Sequence, residues 1–288
     1  MNTPVYKVAL SFALLSTVFL PAKAEKLFDY SFDNKGTKEP SGRGAVEALE
    51  LNLIHSDGAP FDIRSGPGTG VSGKPWDRAF DGTSATGMGK SKAENGNNRG
   101  PVAVAVADTA ALSSLVSYTI SGWMRTTTPI ESVARIVVCT VVGRYNSVLE
   151  LRATPVPGGL TVDLSESIDT KEAQRQNSAL NYLYHDEWTF FAVTFAASGD
   201  KKTNAMEFFI GTKDDPIQRA GVSVYNGKTP EDMGVLAIGN IKNGLRPFKG
   251  LLDNIRIHGS VKDASGALTM AQLEALRKGD IVGVPPKK

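Results

Sequence analysis

The chain has 288 residues, 41% hydrophobic and 22% charged, proportions of a protein that buries a core and not of a disordered, collagenous or disulfide-dense chain. Its 32 Lys and Arg are nearly balanced by 30 Asp and Glu, so no surplus of positive charge is available to track a phosphate backbone, and nucleic acid is excluded as the expected partner. The length suits one large β domain or two smaller units.

Lys7 precedes an apolar run from Val8 to Leu20, followed by Pro21 and Ala22-Lys23-Ala24. This pattern reads as a secretory signal peptide over residues 1–24, cleaved before Glu25. A helix over that run would be about 20 Å long, short of a hydrocarbon core of about 30 Å, so no membrane span is expected after cleavage. The expected location is periplasmic or extracellular. Cleavage removes Lys7 and Lys23 and no acid, leaving 30 basic against 30 acidic side chains. Cys139 is the single cysteine, so an internal disulfide is excluded. Its place in the apolar run Ile136 to Val142 reads as a buried, inert thiol.

Past the signal, Phe28, Tyr30 and Phe32 alternate with Asp29, Ser31 and Asp33, the period-2 pattern of a half-buried strand. Residues 34–100 are rich in Gly, Ser, Asn and Pro. Within them 45–54 and the residues before Asp81-Gly82 can form strands, while 66–73 and 94–100 are turn or loop material. Strand signals then crowd together at 102–106, 116–124, 135–142, 147–153 and 160–164, separated by Gly, Pro or polar clusters. Residues 188–195 and 206–210 read as a hairpin, and 235–239 and 248–258 close the series. Many short strands at such spacing favour an antiparallel sandwich over a parallel α/β sheet.

Only Leu268 to Gly279 has helical periodicity. Thr269 can cap the first turn with Gln272 reaching back, Leu273 and Leu276 share a face, and Gly279 can take the left-handed stop. So short a helix is marginal alone and must dock on the sheets. Residues 25–288 are therefore read as one domain, with 280–288 as a tail.

The order of these segments resembles the laminin-G-like branch of the concanavalin A-like lectin/glucanase superfamily. Leu27-Phe28-Asp29-Tyr30-Ser31-Phe32-Asp33 resembles its opening strand, Ala79-Phe80-Asp81-Gly82 its aromatic-Asp-Gly turn, and Tyr118-Thr119-Ile120-Ser121-Gly122-Trp123 its "F-T-I-S-x-W" strand. Residues 188–195 are similar to its "W-x-x-V-A-V-T-aromatic" strand, and Phe248 to Ile257 resembles "F-x-G-x-I-D-x-V-R-I". The resemblance implies an all-β, antiparallel jelly-roll sandwich of concanavalin A-like type with one short C-terminal helix. The Glu-x-Asp-x-x-Glu strand of the glucanase members, which sets nucleophile, helper and acid on one face, does not occur in this sequence.

Asp253 is the most informative polar residue. Regular alternation places it with Leu251, Ile255 and Ile257, and a carboxylate among apolar side chains is costly unless a cation or several donors compensate it. The resemblance implies a structural calcium where the opening strand meets the closing one, giving a ligand role to Asp253 with Asp33 or Asp29. The alternative is that Asp253 accepts hydrogen bonds from backbone N–H groups or an arginine. The acidic run Asp163, Glu166, Asp169 and Glu172 lies among Ser, Thr and Lys and reads as a hydrated loop rather than a catalytic pair. His55, His185 and His258 have no metal spacing. Trp123 and Trp188 read as core. Trp76, in Gly73-Lys74-Pro75-Trp76-Asp77-Arg78, has a loop setting in which its ring can stack on a sugar face, and Tyr145 and Arg246 are further candidates for ligand contact.

The expectation is an exported, noncatalytic binding module. Carbohydrate, a glycan or polysaccharide, is the ligand class that the resemblance implies. A structural or adhesive module contacting envelope or extracellular proteins is the first alternative, and a divergent polysaccharide hydrolase or lyase the second.

Overall fold

In the computed structural model, residues 24–285 are described except for 43, 47, 56–58, 84–102, 127–133, 142–146, 155–158, 165–173, 178–185, 198–203, 225–228, 230 and 243–245. In chain order the strands are β1 (Glu25–Tyr30), β2 (Lys38–Pro40), β3 (Glu50–His55), β4 (Phe80–Asp81), β5 (Ala103–Asp108), β6 (Ser117–Thr126), β7 (Ala134–Val141) and β8 (Ser147–Thr154). They continue with β9 (Gly159–Leu164), β10 (Gln174–Asn177), β11 (Thr189–Ala196), β12 (Ala205–Thr212), β13 (Gln218–Val224), β14 (Met233–Ile238) and β15 (Gly250–Ser260), and the helix α1 (Met270–Val282) ends the described chain.

Two antiparallel sheets form the sandwich that the strand spacing predicts. One runs β1-β15-β6-β11-β12-β13, with β4 also on β15, and the other runs β10-β9-β8-β7-β14-β5-β3-β2. The opening and closing strands lie side by side, from Glu25 opposite Gly259 to Tyr30 opposite Ile255. Between the sheets, alternate residues such as Phe28, Tyr30, Ile120, Phe191, Leu151 and Leu236 fill the main core. Cys139 belongs to it, and burial pushes its thiol above the ordinary value. Strands β2, β10 and β13 escaped the sequence reading. KEP is three residues long, QRQN carries no apolar periodicity, and Gly221 interrupts QRAGVSV.

The first sheet has a second apolar layer on its outer face, where Trp123, Trp188, Phe190 and Phe209 pack with Val71 and Ala79 of the 65–79 loop and with Leu268 and Leu273 at the helix. Trp123 and Trp188 are thus buried, but under the helix and not between the sheets. Thr269 caps α1 as its sequence predicts, its hydroxyl accepting from Gln272 N while Gln272 Oε1 accepts from Thr269 N at 2.8 Å. The predicted stop does not hold. The helix runs through Gly279 to Gly283, whose φ of 72° supplies the left-handed turn, so residues 280–282 are helix and not tail. Its last turn is held from outside the helix: Asp280 accepts from Trp123 Nε1 at 2.9 Å and from Arg256 Nη1 at 2.8 Å.

Candidate functional site

The end of β1, the middle of β15, the 65–79 loop and the last turns of α1 converge on the outer face of the first sheet. They enclose a groove of ≈ 500 Å³ lined by Asp29, Ser31, Asp33 and Asn34, by Ser72, Trp76 and Asp77, by Asn254 and Arg256, and by α1 from Ala275 to Pro285 beyond it. The chain builds this place by breaking the regularity of β15. The pairing of β15 with β6 shifts between Asp253 and Arg256, and Asn254 has φ 51°, a left-handed conformation that Asn tolerates better than most side chains. Leu252, Ile255 and Ile257 face the main core, whereas Leu251 joins the outer layer. Asp253 therefore does not share a face with Ile255 and Ile257, as regular alternation predicts. The bulge carries it outward, where its Oδ2 accepts from Val71 N at 2.8 Å.

Asp253 is fully buried, and its Oδ1 has no hydrogen-bond partner. Burial holds its carboxyl well above the usual range, and repulsion from Asp77, Asp33 and Asp280 adds to that. Asp77 sits beside it. The next amide along the loop, Ser72 N, donates to Asp77 Oδ2 at 2.5 Å, as does Ser72 Oγ. A Cβ at position 70 would collide with the Asp77 carboxyl, so the loop needs Gly70 there. Asp33 Oδ1 accepts from Arg78 N at 3.1 Å, and burial, followed by repulsion from Asp77, raises its carboxyl to about 6.

On the far wall Arg256 acts as a joint. Its Nε meets Asp29 Oδ1 at 3.1 Å, its Nη2 meets Asp280 Oδ1 at 2.6 Å, and Nη2 also donates to Asn254 Oδ1 at 3.2 Å. Burial works against the guanidinium charge, yet Asp280 and Asp29 hold it above the ordinary arginine value. Asp29 is further held by Lys26 Nζ at 2.6 Å.

Of the residues singled out from sequence, Asp33, Asp29 and Trp76 line this groove, and Asp253 lies behind its wall. Trp76 is half-buried. Arg246 is elsewhere, its N donating to Asn240 Oδ1 and its carbonyl accepting from Arg135 N of the second sheet. Tyr145, His185 and the signal peptide before Ala24 lie outside the described residues. Sequence reasoning did not single out Asp77, Arg256 or Asp280. Trp76-Asp77 in a Gly-rich loop was the available signal for the first. The other two are brought together only by the docking of α1.

Among the described residues, no group of three His, Cys, Asp or Glu is gathered as a metal cluster. The donor chemistry nevertheless suits a hard cation. Asp253 Oδ1 is orphaned, Asp33 and Asp77 repel it, and calcium completes its shell with backbone carbonyls and water as well as carboxylates. Asp29 suits it less, because Lys26 and Arg256 already engage its oxygens.

A laminin-G family profile, described as Concanavalin A-like lectin/glucanases superfamily, matches residues 98–265, more than half of the sequence. The chain belongs to this superfamily. Among curated proteins, none matches it in sequence. Among solved structures, the Trypanosoma rangeli sialidase in complex with 2,3-difluoro-KDN is similar at 12% identity and a TM-score of 0.50, over 90% of this chain and 35% of that one. Domain 4 of AbnA, an extracellular arabinanase of Geobacillus stearothermophilus in complex with arabinotriose, is similar at 16% identity and a TM-score of 0.45, over 89% of this chain and 100% of that one. The binding domain of botulinum neurotoxin DC is similar at 10% identity and a TM-score of 0.47, over 88% of this chain. This chain spans about half of that binding domain, 51%. The likeness to the sialidase is one of fold alone. The superfamily includes both lectins and glucanases, so it leaves the choice between binding and catalysis to the residues of the site. Among the described residues, no helix is long and apolar enough to cross a membrane.

Proposed function

We propose that this protein is an exported, noncatalytic carbohydrate-binding module whose ligand lies in the groove between the 65–79 loop and α1. One observation carries the reading: Trp76, half-buried, stands in the wall of an open groove among Asp33, Asn34, Asp77 and Asn254. An indole offers a flat apolar face for a sugar ring, and the surrounding amides and carboxylates accept from or donate to hydroxyl groups. Calcium is the cation we assign to Asp253, with Asp33 or Asp77 as a second carboxylate and backbone carbonyls and water completing its shell. When bound it would neutralise the mutual repulsion of these carboxylates and fasten the loop to the closing strand.

The test is binding of the mature chain to a glycan panel, with and without calcium, alongside Trp76→Ala. Binding that disappears in Trp76→Ala while thermal unfolding is unchanged supports the groove. Retention of full affinity by the variant would overturn it. A divergent hydrolase is the second reading, favoured by the Asp33 carboxyl raised to about 6 at the groove wall, a value suited to a general acid. Turnover of a polysaccharide panel, lost in Asp33→Asn, would replace the noncatalytic reading.

A further inference from the structure

Resting on the reading of this groove as a glycan site, its charge narrows the ligand class. Four lining residues carry carboxylates, Asp29, Asp33, Asp77 and Asp280, and among the described lining residues Arg256 alone carries a positive charge. That guanidinium is not available to a ligand carboxylate. Nε faces Asp29, Nη1 and Nη2 face Asp280, and Nη2 also meets Asn254, so the paired donor fork by which arginine captures a carboxylate is already occupied. Behind the wall, Asp253 adds a fully buried carboxyl whose Oδ1 has no partner and which interacts with Asp77 and Asp33. Lys26 offsets Asp29 from outside the lining, and Lys74 stands exposed at the rim, its side chain near Gly283. A bound dication on the inner carboxylates would lower the negative excess of the lining and Asp253 without reversing it.

A carboxylated or sulfated sugar entering here meets like charge and no free guanidinium. A protonated amine meets carboxylates on two walls and Trp76 between them, an aromatic ring of the kind that attracts cations. We infer that the groove selects amino-bearing glycans, of which glucosamine oligomers are the simplest, over neutral counterparts and against acidic ones.

Calorimetric titration of the mature chain with three short oligosaccharides tests this: glucosamine oligomers, their N-acetylated counterparts, and galacturonate oligomers. Each is run in chelator and in calcium. The amine-bearing series should bind about three- to tenfold more tightly than the acetylated one, with the difference closing in about 0.5 M salt as charge is screened. The galacturonate series should show no binding. Asp33→Asn keeps the side-chain shape and an oxygen for Arg78 N, and in chelator it should lower affinity for the amine about threefold more than it changes affinity for the acetylated series. Equal or tighter binding of the acetylated or acidic series would overturn the charge selection and leave the groove reading standing. No binding of any series, or binding indifferent to Trp76→Ala, would overturn both.

Discussion

Glu39 and Asp253 are both wholly buried carboxylates in one molecule, and burial raises both above their ordinary values. Their surroundings differ. Glu39 faces Arg64, whose Nη2 lies 2.6 Å from Oε2, and its Oε1 accepts from Phe32 N at 2.9 Å. Arg64 is itself satisfied by Gly36 O, Lys38 O and Asp62. Asp253 has one amide, from Val71, an oxygen with no partner, and three other carboxyl groups in its field. The same desolvation is answered from within the fold at one place and left unanswered at the other. A closed pair ties β2 to Phe32 just past β1 and to Arg64 between β3 and β4, whereas an open carboxyl beside a groove is poised for something the chain does not itself supply.

The sharpest way to break this contrast is to remove one partner of the closed pair. Glu39→Ala leaves Arg64 with only the half-exposed Asp62 as counter-charge and Phe32 N without its acceptor, and should cost about 3 kcal/mol in urea unfolding. A loss below about 1 kcal/mol would show that Arg64 finds water and that the pair is not the tie described. At Asp253 the expectation has the opposite sign. In chelator, Asp253→Asn should match or exceed the wild type in stability, because an amide oxygen still accepts from Val71 N and a repelled charge is gone. Calcium at a hundredfold excess over its Kd should stabilise the wild type by about 2.7 kcal/mol and leave Asp253→Asn unmoved. Equal calcium shifts in the two proteins would remove the cation from this site.

A smaller effect is expected in the pH dependence. The folded Asp33 carboxyl titrates at about 6, above its ordinary 3.8, so its contribution to stability is fully present below 3.8 and is lost as pH rises through about 6. Asp33→Asn in chelator should therefore be more stable than the wild type at neutral pH, with the difference vanishing toward pH 3.8. His258 runs the other way. Burial lowers it to about 4 from 6.5, and its contribution, present above 6.5, is lost as pH falls through about 4. It is common to both proteins and cancels in the difference curve. A difference independent of pH would mean that Asp33 stays ionised in the fold. Least of all should Lys38→Ala matter: its pair with Glu50 leaves the side chains 60% and 45% exposed, and a change within about 0.5 kcal/mol is expected.

The sandwich was legible because its signals are local. Alternation in β1, the dense apolar run of β11 and the capping box at Thr269 each report on a few neighbouring residues. What escaped depends on contacts distant in sequence. Gly279 looks like a helix stop, but Arg256 and Trp123, 24 and 157 residues from Asp280, hold the next turn in place. In the same way Asp33, Asp29, Asp253 and Trp76 could be singled out as residue types in telling settings. The groove that joins three of them, and the engagement of Asp29 by Lys26 and Arg256, follow from the docking of α1 and the register shift in β15. The shift's trace in the sequence is slight, an apolar doublet Leu251-Leu252 followed by a polar doublet Asp253-Asn254, while Leu251, Ile255 and Ile257 still suggest one regular face.

The left-handed residue in the closing strand also shapes how this protein can diverge. On either side of it the strand faces both layers, Leu251 and Arg256 outward and Leu252, Ile255 and Ile257 toward the sandwich interior. Loss of the single residue at 254 would restore a regular pleat with Asp253 still outward and Ile255 and Ile257 still inward, and would take from the groove only Asn254 and its contact with Arg256. A one-residue change of length at this point thus touches the groove wall while the alternation that fills the sandwich is kept.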